Sequence, residues 1–178
     1  MRLKSSVRIF TPFLLFVILS SAARTQAQQM LQPAPELKKL DYFVGNWTTD
    51  SEMKSGPGGA GGKVTGTDQV EWMDGKFWVV IHTKFSGSTG SGVETAFMGY
   101  DPDKKVYTFS SYNSAGEHES ATGTLQGDTW VWNNDSDSKM HWRYTEAMLS
   151  PSAYSIKFEM SQDGKAWATV MEGKATKQ

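Results

Sequence analysis

The sequence predicts an all-β domain, an antiparallel up-and-down β-barrel of about ten strands with one short N-terminal helix. Three observations predict it. After Gly45 the apolar pattern repeats every second residue, not every third or fourth. Turn signals interrupt that pattern at spacings of roughly 8–12 residues. The turns are too tight for a crossover connection, so strands that follow one another in sequence lie side by side. A meander of this many strands closes best into a barrel, because closure leaves no unpaired edge. Beyond about eight strands the barrel is wide enough that side chains alone need not fill it.

The first 27 residues stand apart from the fold. Arg2, Lys4 and Arg8 form a positive start, and Ile9 to Leu19 is apolar except for Thr11 and Pro12. Thr25-Gln26-Ala27 then fits a small-x-Ala cleavage site. This is the pattern of a secretory signal peptide. Its apolar run is short of the roughly 20 residues that span a bilayer. The expectation is therefore an exported protein, periplasmic or extracellular, with no membrane span once the signal is removed. Residues 28–35 hold Pro33 and Pro35 and read as a tether, and 36–178 as a single barrel domain.

The helix is read from Leu37, Leu40 and Phe43 or Val44 at helical spacing, with Pro35 in its first turn and Gly45 as its stop. The strands are expected near 46–54, 64–73, 76–85, 93–101, 105–113, 117–126, 128–134, 139–148, 153–161 and 165–176. Asp74-Gly75 reads as a two-residue hairpin turn, and Gly127-Asp128 and Asp163-Gly164 mark two more. Asp101-Pro102-Asp103 carries proline at the second turn position. Ser114-Ala115-Gly116 and Pro151-Ser152 break the chain again. Two glycine- and serine-rich stretches, Ser55 to Gly62 and Ser86 to Gly92, are expected to flank one mouth of the barrel.

Composition excludes several classes of function. The 178 residues include 18 basic and 19 acidic side chains and no cysteine, for a net charge of -1. Without cysteine there are no disulfides, thiol nucleophiles, lipidation site or iron–sulfur cluster. The signal segment carries four basic residues and no acidic one, so its removal takes the charge from -1 to -5. A nucleic-acid binder needs a basic face, so none is expected here.

The motifs that resemble chemistry fail on inspection. Gly56 to Gly62 before Lys63 suggests a phosphate loop, but Pro57 takes the place of its first glycine and Val64 that of its hydroxyl residue. Asn133, Asp135 and Asp137 alternate as in a calcium loop, but Ser138 stands where its glycine belongs and Tyr144 where its glutamate belongs. His82, His118 and His141 lie singly in separate strands, and no metal site is expected from them. Gly90-Ser91-Gly92 is not a nucleophile elbow. No catalytic residue is assigned.

The seven tryptophans carry more weight. Trp130 and Trp132 share one strand face, as do Trp142 and Tyr144. They read either as core or as the wall of an aromatic pocket. His141 and Arg143, if they point inward, form a polar end for an anionic head group, and His82 with Lys84 poses the same question on the third strand.

Leu40 to Trp47 resembles the Gly-x-Trp entry of the calycin superfamily, which includes lipocalins, fatty-acid-binding proteins and nitrobindins. The residues most resemble the bacterial family called domain of unknown function fifteen-seventy-nine. The matching pieces are Leu40 to Trp47, Gly56-Pro57-Gly58, Asp74-Gly75-Lys76-Phe77-Trp78, Gly99-Tyr100-Asp101-Pro102 with Tyr107, and Gly116 with Gly123. The resemblance implies a ten-stranded lipocalin-like barrel and no established reaction. It implies that Trp47 closes one barrel end with Lys174 packed across it in a cation–π contact. Nitrobindin-like barrels hold haem through a histidine near the C-terminus. No histidine follows His141 here, so haem is not expected and no other cofactor is predicted. By analogy with fatty-acid binders, Arg143 and Tyr112 would meet a carboxylate.

The leading expectation is thus an exported barrel that binds a small apolar or amphipathic ligand, oriented by His82, His141, Arg143 and Tyr112. The alternatives are an isomerase or hydrolase using a cavity histidine and carboxylate, and a filled barrel acting through a protein partner.

Overall fold

A computed structural model describes residues 32–56, 60–88, 90–134 and 137–178. The expected signal peptide and the first half of the tether lie outside the described residues, as do Pro57 to Gly59, Thr89, Asp135 and Ser136.

The chain forms a short helix and ten strands, β1 Gly45–Met53, β2 Gly62–Trp72, β3 Val79–Gly87, β4 Gly90–Asp101, β5 Val106–Asn113, β6 His118–Gln126, β7 Thr129–Asn134, β8 His141–Ser150, β9 Ala153–Ser161 and β10 Ala168–Lys177. Each pairs antiparallel with the next, and β1 pairs with β10 to close the barrel. All ten expected strands are present. They are long, alternate inward and outward, and meet in one continuous ladder, so almost every backbone polar group finds its partner without an edge.

Two local expectations are corrected. The helix at Pro35–Tyr42 is a 3-10 helix. Leu37 N–H donates to Ala34 and Phe43 N–H to Leu40, both at 3.0 Å. Eight residues with proline at the start and no side-chain cap are too few to favour α geometry, and the tighter turn puts Leu37 and Leu40 together on the barrel. The β2–β3 connection is longer than a two-residue hairpin. Lys76 N–H donates to Met73 O at 2.9 Å and Met73 N–H to Trp78 O at 2.9 Å, so four residues form the loop. Gly75 and Lys76 both take positive φ, 86° and 58°, and β3 begins only at Val79.

The 3-10 helix covers one barrel end. Trp72 at the end of β2 donates to Asp41 Oδ1 at 2.8 Å. Tyr107 at the start of β5 donates to Glu36 O at 3.0 Å. The Tyr42 hydroxyl lies 2.9 and 2.8 Å from the carbonyls of Ser150 and Ala153 in the β8–β9 turn. Beneath the helix, Leu40, Phe43, Trp47, Tyr107, Trp130 and Tyr154 form an aromatic floor. Leu40 is fully buried and Trp47 is 1% exposed. Burial of side chains this large contributes about 1.5–3 kcal/mol each. Gly123 faces Trp132 across the β6–β7 pair, where any Cβ would run into the indole ring. Glycine there lets the tryptophan lie flat on the sheet.

Trp47 does close this end, with a different cation from the expected one. Lys177 Nζ lies 5.1 Å from the Trp47 ring, and the indole N–H donates to Phe43 O at 2.6 Å. The register explains the substitution. Trp47 pairs with Lys177, whereas Lys174 pairs with Asp50 three residues along β1.

Candidate functional site

The half of the barrel away from the helix is hollow. Its cavity measures about 600 Å³. Phe43 and Trp47 of the floor lie at one end of its lining, and Met53, Val64, Phe85 and Met160 lie near the strand ends opposite the helix. Strand alternation builds the walls. On β8, Trp142, Tyr144 and Glu146 point inward; on β9, Tyr154, Ile156, Phe158 and Met160 do so.

Four acidic side chains enter this mostly apolar space, each from an even-numbered strand: Asp68, Glu94, Glu119 and Glu146. The hydroxyl of Thr83 donates to Asp68 at 2.7 Å. Trp132 donates to Glu146 at 3.0 Å and Trp142 to Glu119 at 3.2 Å. Glu119 is exposed at the start of β6, Asp68 and Glu94 are half-buried, and Glu146 is only 9% exposed. Burial raises the Glu146 carboxyl to a pKa of about 7, against the Trp132 hydrogen bond that lowers it and with the charge of Asp68 adding to it. Burial likewise raises Asp68 and Glu94, partly offset by hydrogen bonds with Thr83 and Ser111. Burial pushes the phenols of Tyr144 and Tyr154 well above their usual range. Neither of these hydroxyls has a hydrogen-bond partner among the described residues.

The four residues expected to orient a ligand are not in the cavity lining. Inward neighbours flank each: Ile81 and Thr83 around His82, Ser111 beside Tyr112, Trp142 beside His141, and Trp142 and Tyr144 around Arg143. With a side-chain period of two, the residue between two inward positions faces out. Arg143 is held there by Glu159, with hydrogen bonds of 2.9 and 2.7 Å, and its guanidinium stacks 4.4 Å from the Trp167 ring. Tyr112 is 56% exposed and stacks on His118. His82 lies 3.3 Å from Thr95 on the outer face. None of His82, His118 and His141 lines the cavity, so a cavity histidine–carboxylate pair is not formed. Nor do three carboxylate or imidazole groups converge tightly enough to hold a metal ion among the described residues.

The acidic interior was present as a signal in the sequence. Trp142, Tyr144 and Glu146 fall at alternate positions, so the face that carries the aromatic pair carries the glutamate as well. Asp68 follows the same rule with Val64 and Val70.

Fold and interior together define a closed ten-stranded antiparallel barrel with a ligand-sized, acid-lined cavity. The chain belongs to the family described as "Protein of unknown function (DUF1579)", whose model matches residues 32–177. No curated protein matches the chain. Among solved structures, Rv2717c from M. tuberculosis is similar at 15% identity and a TM-score of 0.56, over 83% of this chain and 99% of that one. The S-type phycobiliprotein lyase CPES from Guillardia theta is similar at 11% identity and a TM-score of 0.57, over 79% and 91% of the two chains. At these identities the likeness is one of fold.

Proposed function

We propose that this protein is an exported barrel that binds one small, largely apolar or amphipathic molecule inside, in the manner of a calycin. The cavity carries the reading. About 600 Å³ lies within the range of small-molecule sites, roughly 300–1,000 Å³. Its walls are aromatic and aliphatic, with a few polar groups at set positions, which is how such sites combine affinity with orientation. Apolar surface buried in it contributes roughly 25 cal/mol per Å² before ordering costs. A barrel filled solid by its own tryptophans is not favoured, since Trp47 and Trp130 pack under the helix while Trp132 and Trp142 line a cavity of about 600 Å³ without filling it. Export rests on the charged start, the apolar run and the small-residue site that ends at Ala27.

Native mass spectrometry of the protein taken from its host's periplasm or medium tests both parts. The expected species begins at Gln28 and carries one stoichiometric extra mass. Recovery of the chain only from the cytoplasmic fraction, with residues 1–27 retained, refutes export. A bare polypeptide that also shows no tryptophan-fluorescence response to ten-carbon amphiphiles refutes the binding role.

A further inference from the structure

We propose that the bound molecule is a small organic cation, an amine or related nitrogen base on an apolar body, with its charged end among the carboxylates of β2, β4, β6 and β8. This deepens the interior-binding reading and rests on it.

The sign of the lining comes first. Every charged side chain facing the cavity is acidic, and no lysine, arginine or histidine lines it. The interior carboxylates meet only neutral partners, the hydroxyls and indoles of Thr83, Ser111, Trp132 and Trp142. Ion pairs outside the cavity join Lys54 to Glu172, Lys63 to Asp50, Lys104 to Asp101, and Arg143 and Lys157 to Glu159. None reaches inward. A carboxylate withdrawn from water without a counter-ion is costly, and several in one cavity repel one another. A cation entering this space relieves both effects, whereas an anion aggravates them.

A second, independent feature points to a ligand. The Tyr154 ring lines the cavity at 6% exposure, and its hydroxyl has no hydrogen-bond partner among the described residues. Buried phenols ordinarily find one. A protonated nitrogen can donate to this phenolic oxygen as it does to the carboxylates. The walls complete the fit, because Trp132, Trp142 and Phe109 line the cavity with aromatic rings, and such rings attract organic cations. A bare metal ion is the poorer match, since the carboxylates are spread over four strands and do not converge.

The groups that titrate around the bound charge are Asp68, Glu94, Glu119 and Glu146 on the even strands, with the phenols of Tyr144 and Tyr154 beside them. Burial shifts Asp68, Glu94 and Glu146 toward the protonated form, Glu146 to a pKa of about 7, and a cation beside them opposes that shift. Affinity for a permanent cation therefore rises with pH through the region around 7.

The test is calorimetric titration of the ligand-stripped protein with three probes of one chain length, decylammonium, decanol and decanoate, at pH 8. Decylammonium is expected to bind at least tenfold more tightly than decanol, and decanoate more weakly than decanol. In the Asp68→Asn/Glu94→Gln double variant the preference for decylammonium is expected to fall to within about threefold of decanol, with decanol affinity unchanged. Should that variant not fold, the native protein gives the same answer by pH, with decylammonium affinity lost at least fivefold at pH 5 and decanol affinity constant. Equal binding of all three probes, or a preference for decanoate, overturns the cation and leaves the hollow-barrel reading intact. Failure of all three to bind overturns both.

Discussion

Replacing Glu146 by glutamine isolates the cost of one buried charge. The carboxyl is 9% exposed, and its pKa rises from 4.5 to about 7 because burial disfavours the ionised form. In the unfolded chain the group ionises near 4.5, so between these values the native state holds the extra proton. Stability is then highest at low pH and falls as pH rises through 7. At about 1.4 kcal/mol per pH unit, the full penalty above that range is about 3 kcal/mol, of which about 2.5 kcal/mol develops between pH 5 and pH 8. Glutamine is isosteric, keeps an oxygen acceptor for the Trp132 indole N–H and does not titrate. The margin of the variant over the native protein should therefore widen by about 2.5 kcal/mol from pH 5 to pH 8, a difference of roughly 5–10 °C in Tm for a domain of this size. Denaturant unfolding of both proteins at half-unit pH steps measures it. If the two stability curves run parallel from pH 5 to pH 8, the carboxylate is solvated in the folded state, and the reasoning about a dry acidic interior fails.

Three further substitutions test the rest of the account. Arg143→Ala removes two hydrogen bonds to one carboxylate oxygen of Glu159 and a stack on Trp167, so it should lower stability by about 1–3 kcal/mol while leaving the affinity for any interior ligand unchanged; a loss of affinity measured by calorimetry would return this residue to the binding site. Lys177→Met should cost about 0.5–1 kcal/mol in denaturant unfolding through the lost contact with Trp47, and Lys174→Met close to nothing; the reverse order would restore the pairing that the family resemblance implies. Gly123→Ala places a methyl group against the Trp132 ring and should destabilise by about 1–3 kcal/mol, with a changed near-ultraviolet circular dichroism spectrum; an unperturbed spectrum would mean the ring moves freely aside.

The strand map was legible because each strand is one period-two run between glycine, proline or aspartate turns, and a meander needs no long-range information to place its neighbours. Boundaries slipped where side chains, not the apolar pattern, end the turn. At β10, Asp163 accepts from the N–H groups of Lys165 and Ala166 and holds the chain in a turn up to Trp167. The site was harder to read. Histidine and arginine drew attention as the residues that meet anions, yet alternation assigns Arg143 to the face opposite Trp142 and Tyr144. Which face is inside depends on burial. Here the tryptophans of β7 and β8 settle it, and Glu146 follows them inward. Lys177 in place of Lys174 is a matter of register, which no local pattern of β1 or β10 records.

The seam between β1 and β10 has a kinetic consequence. Nine of the ten strand pairings join neighbours in sequence and can form as local hairpins. The tenth brings together groups as distant as Thr48 and Gln178, 130 positions apart. Closing that loop costs about 2 kcal/mol more in chain entropy than closing a ten-residue hairpin. An open sheet without this pairing has two bare edges and no enclosed interior, so the cavity exists only once β10 reaches β1. Pairings of such long span slow folding. A molecule that occupies the interior favours the closed form over the open sheet, and so slows the parting of this seam.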